Sequence, residues 1–532
     1  MRINLYVNMT IPSIFKEKKS DLILLTIFSL TIILSRLPFI SHSLYELDSV
    51  NYALAFQHFN IYLSQPQPPG YIFFVALGKI INIFFNNPNN SMIFISILFS
   101  ILTVFLIYFL AKQMFSREIA VAASVLLIFN PIFWFYGEIA MIYMSEALFA
   151  ALVAYTSYQL LSGDNRFLYI SSIVLGLSGG FRQDLIVFMF PLWLFCLVYQ
   201  DFDYKKIFKA FMVLIASAML WFIPTILLSG GLMKYLLINN SQLVGSIQNT
   251  SLFLGANLSS QLAMDSELLS WTILGIGVIS IFILLIFTCF NLKRVFSLSN
   301  LKNNKTIFLI LWIIPAFLFY LLLYIGILGY TLVYLPVFAL LVGYIIINLS
   351  LDLNKKFKKI PKHYFSVLLV LLCVLLGVTQ FISTSVGTTD YGNIQLEDIN
   401  LQYLNQSLME FNPGNTVVLI ETLSDWRKCM YYYPGYETYF FEYYNSSLGA
   451  TLLSDHYKDH EINTYVGQSM EIHLNSSTNI VWIGDSNSDF FRQLQSKIEV
   501  KTITLPDGNV VYYSNLNNNT NFTIDNVTFI KD

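Results

Sequence analysis

The chain is 532 residues long, with a formal net charge of −2 and only 12% charged residues against 56% hydrophobic ones. A soluble globular domain carries about twice that charged share, so the composition excludes an ordinary soluble enzyme and implies a polytopic membrane protein. The balanced charge also argues against nucleic acid as a partner.

Lys16, Lys18 and Lys19 precede the apolar run Leu22 to Ile40. It reads as a retained first span rather than a secretory signal, because no small-residue cleavage site follows and many apolar runs do. Next comes Tyr45 to Gly78, where an acidic patch lies between two long apolar runs. Leu47, Val50, Leu54 and Ile61 recur at helical spacing, with Asp48, Tyr52, Ala55 and Phe59 on a neighbouring stripe, which predicts a short helix in the membrane interface with Asp48 on its polar side. In Gln65-Pro66-Gln67-Pro68-Pro69-Gly70-Tyr71 the prolines favour extended backbone, and Gly70 permits a turn back to the bilayer.

At about 20 residues per span, the runs able to cross are Met92 to Gln113, Ile119 to Tyr136, Ile139 to Leu161, Leu185 to Tyr199, Ile207 to Ser229, Trp271 to Phe290, Ile307 to Leu328, Tyr330 to Leu349 and Tyr364 to Ser383, with the shorter Phe167 to Gly180 counted among them. Charge decides Tyr71 to Phe85. If it spans, the loops holding Lys112 and Arg117, Lys205 to Lys209, Lys293 to Lys305 and Lys355 to Lys362 all face outward, against the positive-inside rule. If it dips in and returns, or lies along the interface, all face inward. The expectation is therefore a polytopic α-helical cell-membrane protein of about eleven spans, with a cytoplasmic N-terminus. Asp48, Glu138 and Arg182 then fall on the outer face.

Gly231 to Ser270 is expected as an outward loop, either a lid or a solvated connector, with Asn239, Asn249 and Asn257 in glycosylation sequons. From Gly387 the composition turns polar, dividing a membrane domain at 1–385 from an extracytoplasmic α/β domain at 386–532. Thr416 to Glu421 and Asn479 to Ile483 predict buried strands, each followed by a helix, at Asp425 to Tyr433 and Ser488 to Lys497. A hairpin is expected over Val500 to Tyr513, turning at Pro506-Asp507-Gly508. Sequons at Asn405, Asn445, Asn475, Asn518, Asn521 and Asn526 agree with an outer address. Cys196, Cys289 and Cys373 lie in apolar runs and Cys429 stands alone, so no disulfide framework is predicted. His456, His460 and His473 fit no metal motif and read as surface residues. No cofactor is assigned, and a divalent cation stays open.

Asp48 is the first candidate for chemistry: a carboxylate at the lipid boundary is solvated, paired or in use, the other reading being an N-terminal helix cap. Glu46 reads as a solvated first-turn acid. Arg182, in Gly179-Gly180-Phe181-Arg182-Gln183-Asp184, offers a fork of donors suited to phosphate, or else pairs with Asp184 or snorkels to headgroups. Glu138, after Tyr136-Gly137, and Glu146 two turns on are intramembrane acids, functional or structural. Tyr330 and Tyr334 are interfacial belt residues or headgroup contacts.

The run Asp48-Ser49-Val50-Asn51-Tyr52-Ala53-Leu54-Ala55 and the Gln65 to Tyr71 segment resemble the first outer loop of GT-C glycosyltransferases, among them protein O-mannosyltransferases, aminoarabinose transferases and RgtA/B/C/D-like enzymes. Glu138, the GGFRQD segment and Tyr330 to Pro336 follow in a similar order, and the likeness spans about Asp21 to Leu349. It implies a GT-C fold and an inverting transfer of a sugar from a polyisoprenyl-phosphate carrier to a lipid, glycan or protein acceptor outside the membrane. It further implies Asp48 as general base or acceptor-orienting group and Arg182 as holder of the carrier phosphate, with Glu138, Tyr52, Gln67 and Tyr330 as substrate-binding positions. Gln67 stands where relatives often carry the histidine of His-Pro-Pro, and Tyr330 near where many carry an arginine. The competing reading is a membrane transporter or lipid flippase, against which stands the lack of a convincing internal repeat.

Overall fold

The structure, a computed structural model, describes residues 11–295, 303–357, 359, 361–383, 389–443, 451–454, 464–466, 469–474, 479–505, 508–516, 521–524 and 527–531. It divides into two compact units, Met1–Ile40 with Tyr71–Asn393, and Ser41–Gly70 with Ile394–Asp532. The boundary falls inside the stretch that carries the proline-rich loop.

The first unit is helical. It holds α1 (Ile11–Arg36), α3 (Ile72–Phe85), α4 (Pro88–Met114), α5 (Arg117–Ile128), α6 (Pro131–Phe135), α7 (Met144–Leu161), α8 (Phe167–Ser178), α9 (Asp184–Tyr199), α10 (Tyr204–Leu228), α11 (Leu232–Gln248), α12 (Leu258–Ile276), α13 (Val278–Val295), α14 (Asn304–Leu322), α15 (Leu335–Lys356) and α16 (Lys362–Ile382). Short polar residues start these helices where the sequence supplies them: Asn87 caps α4 by accepting from Asn90 N, with Pro88 in the first turn, and Asp203 caps α10. Helices approach closely where side chains are small. A Cβ on Gly176 of α8 would lie 2.5 Å from Leu214 O of α10, and Trp221 Nε1 donates to Gly176 O at 2.8 Å across the same contact. Val367, Leu368, Leu371 and Leu375 of α16 are exposed, as a lipid-facing helix requires.

Among the described residues, six helices are long and apolar enough to cross a membrane alone, and α12 with α13 forms a seventh candidate bent by 81°. The break follows Gly277, whose φ of +84° a residue with a Cβ rarely adopts. Other expected crossings are short or interrupted. The run Ile119 to Tyr136 splits into α5 and α6 because Pro131 has no N–H to continue the ladder, and the Asn130 side chain caps the new helix. The run from Ile139 becomes helical only at Met144. Gly231 to Ser270, expected as a loop, is largely α11 and the first turns of α12, because its apolar residues keep helical spacing between Gly231 and the Asn257 cap.

Charged side chains mark one end of this unit. Asp21 of α1 pairs with Lys112 of α4 at 2.6 Å and Arg117 of α5 at 3.6 Å, and Lys362 of α16 meets Glu118 at 2.9 Å. Gln113 and Gln159 exchange amide hydrogen bonds at 3.1 and 2.6 Å, bringing the end of α7 there too. The chain thus leaves this end on α1 and returns to it on α4. The fourteen residues of α3 between them make no net crossing, and at ~1.5 Å per residue the helix is shorter than the ~30 Å hydrocarbon layer.

The second unit is α/β. Its seven-stranded sheet has the order β4-β3-β2-β1-β6-β8-β7, beside a three-stranded sheet β5-β10-β9, where β1 is Thr416–Ile420, β2 Glu437–Tyr443, β3 Thr451–Ser454, β4 Thr464–Val466, β5 Met470–His473, β6 Asn479–Ile483, β7 Lys501–Thr504, β8 Val510–Asn515, β9 Phe522–Ile524 and β10 Val527–Ile530. The central strands β2, β1 and β6 are parallel. Every residue of β1 is buried, as a strand covered on both faces must be. Val417 and Leu419 face one core with Trp482 and Phe490, while Val418 and Ile420 face the other with Trp426 and Ile483. Three helices complete the described part, α2 (Leu47–Gln57), α18 (Leu423–Tyr432) and α19 (Asp489–Lys497), joined by the C-terminal turns of α17 (Tyr391–Met409). The two strands, the two helices and the β7–β8 hairpin expected from the sequence are all present, with 506 and 507 of the hairpin turn outside the described residues.

Candidate active site

Arg182 is the centre of the site in the helical unit. It lies in the turn between α8 and α9, 5% exposed, where Arg182 N still reaches back to Ser178 O. Its Nε stands 3.1 Å from Glu146 Oε1 of α7, and its Nη2 donates to Asp184 Oδ2 at 2.7 Å. The rings of Tyr71, Tyr143 and Tyr330 surround the guanidinium carbon at 5.4, 5.5 and 4.7 Å. Each aromatic face stabilises a desolvated cation, a contribution of about 1–2 kcal/mol. Tyr320 stacks on Tyr330 with centroids 5.8 Å apart. A buried arginine flanked by two carboxylates and three π-faces is held in one orientation.

Two glycines make that arrangement possible. A Cβ on Gly180 would lie 2.3 Å from the ring of Phe73, whose backbone N donates to Gly180 O at 3.0 Å. A Cβ on Gly329 would lie 2.4 Å from the ring of Tyr143. Tyr71 itself has φ of +38°, a conformation that a bulky residue keeps only where its surroundings impose it.

The structure places Glu138 elsewhere. Fully buried, it accepts from Trp134 Nε1 at 2.6 Å and faces Arg36, whose guanidinium carbon lies 4.8 Å from the Trp134 ring centroid. Arg36 Nη2 in turn donates to Ile128 O at 2.6 Å. This network ties α1 to α5 and α6. Sequence reading had not singled out Arg36, because an arginine ending a first span reads as an ordinary interface residue.

In the second unit, Asp48 lies in the first turn of α2, after Glu46 at the N-cap position. Burial and the neighbouring charges of Asp48 and Glu397 push the Glu46 carboxyl from 4.5 up to about 7, with Lys428 opposing them. That departs from the solvated acid expected. Gln67 Nε2 donates to the Tyr52 hydroxyl at 3.0 Å, while the buried Gln67 Oε1 has no hydrogen-bond partner among the described residues. Tyr52 and Gln67 therefore meet. Among the described residues no group of three or more histidine, cysteine or acidic side chains is placed to hold a metal ion. His473 lies on β5, 3.8 Å from Glu471, and His456 and His460 lie outside the described residues.

Glu146 is the residue sequence reading undervalued: its helical spacing from Glu138 was visible, its pairing with Arg182 was not. Tyr143 and Tyr320 carried no signal among 33 tyrosines, and Tyr71 entered only as the last residue of the proline-rich segment.

Residues 66–229 match the family described as dolichyl-phosphate-mannose-protein mannosyltransferase. The structure resembles ArnT from Cupriavidus metallidurans bound to undecaprenyl phosphate, with a TM-score of 0.55 and 11% identity over 93% of this chain and 98% of that one. The chain has a GT-C glycosyltransferase fold. The apo form of the same ArnT gives a TM-score of 0.51 at 9% identity, over 94% of this chain and 98% of that one. At such identities the likeness is one of fold. No curated protein matches the chain in sequence. The matched stretch runs from the proline-rich loop through Glu146 and Arg182 to the end of α10; Asp48, Tyr52, Tyr320 and Tyr330 lie outside it.

Proposed function

We propose that the protein is an inverting glycosyltransferase, moving a sugar from a polyisoprenyl-phosphate carrier to an acceptor hydroxyl on the outer face of the membrane. The family match over residues 66–229 carries this reading, since it covers Arg182, Glu146, Asp184 and two of the three rings around the guanidinium, Tyr71 and Tyr143. Undecaprenyl phosphate on the ArnT fold supports the carrier class.

Chemically, the acceptor oxygen attacks the anomeric carbon while the bond from that carbon to the carrier phosphate breaks. The hydroxyl proton passes to Asp48, and the lipid phosphate leaves with the charge. A base within reach lowers such a barrier, and a fixed cation stabilises the leaving group. Arg182 supplies that cation. Of its two partners, Asp184 is 30% exposed and Glu146 1%. Asp184 is thus the one a phosphate displaces, and Glu146 keeps the guanidinium aimed.

The end holding Lys112, Arg117 and Lys362 faces the cytoplasm under the positive-inside rule. The N-terminus is then inside and the α/β domain outside, where nucleotide sugars are absent and a lipid carrier is required. The test is incubation of purified protein with a panel of polyisoprenyl-phosphate sugars, reading release of the carrier. Turnover abolished in Asp48→Asn at normal protein level is the expected result; no turnover of any donor by folded wild-type protein overturns the assignment.

A further inference from the structure

The residues just ahead of Asp48 are held by the C-terminal part of the chain. Asp398 of α17 accepts four hydrogen bonds from them, from Ser41 Oγ (3.4 Å), His42 N (3.1 Å), Ser43 N (2.9 Å) and Ser43 Oγ (2.5 Å). At the next residue, Leu44 N donates to the Tyr432 hydroxyl of α18 at 3.0 Å. Arg427, also on α18, donates from Nη2 to Leu63 O at 2.8 Å, on the far side of α2. Glu397 pairs with the buried Lys428, and both face Glu46. Ser41, Ser43 and Leu44 are buried. The loop thus spends its backbone donors on side chains more than 350 positions away in the sequence.

We infer that Asp398 is a positioning residue for catalysis, which together with Tyr432 clamps Ser41–Leu44 and so fixes where α2 begins and where Asp48 stands. The physical reason is the directness of the connection. Three residues separate Leu44 from Asp48, and α2 opens with no side-chain cap of its own, since Glu46 at the N-cap makes no capping hydrogen bond. The start of the helix is therefore set from outside, and the aligned N–H groups of residues 42 and 43 converge on one charged acceptor, a stronger bond than neutral pairs make. On this view the α/β domain is part of the catalytic apparatus rather than an appended module. The inference rests on Asp48 acting as the base.

The test compares wild type, Asp398→Ala and Asp398→Asn in the full-length detergent-solubilised protein. An asparagine keeps the oxygen that serves Ser43 but not the second acceptor used by His42. Displacing a reacting group by about 1 Å costs on the order of 100-fold in rate. The expected result is a fall in kcat of that order for Asp398→Ala with binding of polyisoprenyl phosphate unchanged, partial recovery in Asp398→Asn, and loss of amide-exchange protection at His42, Ser43 and Leu44. Should Asp398→Ala not accumulate, Tyr432→Phe removes the Leu44 acceptor with the ring retained, and the same losses are expected in smaller degree. Wild-type kcat in these variants, alongside an inactive Asp48→Asn, overturns the clamp and leaves the transferase reading intact. Unchanged protection at residues 42–44 overturns it even if no donor is ever turned over.

Discussion

Glu46 offers a sharp test of the electrostatics around Asp48. Its carboxyl is raised from 4.5 to about 7 by burial first and then by Asp48 and Glu397. In the unfolded chain it ionises near its ordinary value, so between these two pH values the folded state holds a proton that the unfolded state has lost. Stability is accordingly full below about pH 4.5 and falls as pH rises through about 7, levelling off above it. A shift of this size corresponds to about 3 kcal/mol at ~1.4 kcal/mol per unit, and the half-buried setting reduces the expectation to about 2 kcal/mol. Glu46→Gln removes the ionisation and keeps the shape. Amide exchange at the buried strand β1, compared between variant and wild type at each pH from 5 to 8 under mild denaturant, reads the stability of this unit directly. The variant is expected to match wild type at pH 5 and to exceed it increasingly up to pH 7. Parallel behaviour across the range would refute the account, since it would mean that Glu46 ionises alike in both states.

Arg182→Ala leaves Glu146 buried without its cation and is expected to destabilise the helical unit by about 3–5 kcal/mol, with Arg182→Ala/Glu146→Gln recovering most of that in thermal unfolding while activity stays lost. Arg182→Lys, which keeps the charge but not the fork, should retain the fold and lose donor affinity, measured by polyisoprenyl-phosphate binding. Gly180→Ala must push the Phe73 ring aside and is expected to lower the midpoint of thermal unfolding, whereas Gly508→Ala, with no atom of the described residues within 4 Å of the added methyl, should shift it chiefly through its φ of +89°. Cysteines placed at Lys112 and Lys362 should react with an impermeant reagent from the same membrane side in oriented vesicles, and opposite labelling would break the single charged end described above.

Helix periods and charge bias carried much of the fold. They anticipated the several apolar helices, six or seven of them among the described residues long enough to cross against about eleven expected, and the buried strands β1 and β6, because each follows from local pattern. What escaped were interruptions set by single residues, such as the break at Pro131 or the bend at Gly277, where tertiary packing accommodates a local fault. Arg182 was legible as a cation in a glycine-rich turn, and Asp184 as its neighbour two positions on. The second partner, Glu146, comes from another helix, and no spacing within α7 points to it.

The allegiance of Ser41–Gly70 was the least legible feature, for a physical reason. Composition assigns a segment to its sequence neighbours, and this one sits between apolar runs. Its hydrogen bonds, however, go to Asp398, Arg427 and Tyr432, and nothing in a serine or a backbone N–H announces so distant an acceptor. The helix of this segment buries Val50, Tyr52, Leu54 and Phe56, whereas Ser41 to Ser43 ahead of it offer only small polar side chains and backbone donors. Charge-assisted hydrogen bonds from the C-terminal part of the same compact unit fix the residues that lead into α2. The same logic accounts for the twin carboxylates Glu397 and Asp398 lying side by side in α17: one neutralises the buried Lys428, and the other is left free of that cation to receive the N–H groups of residues 42 and 43.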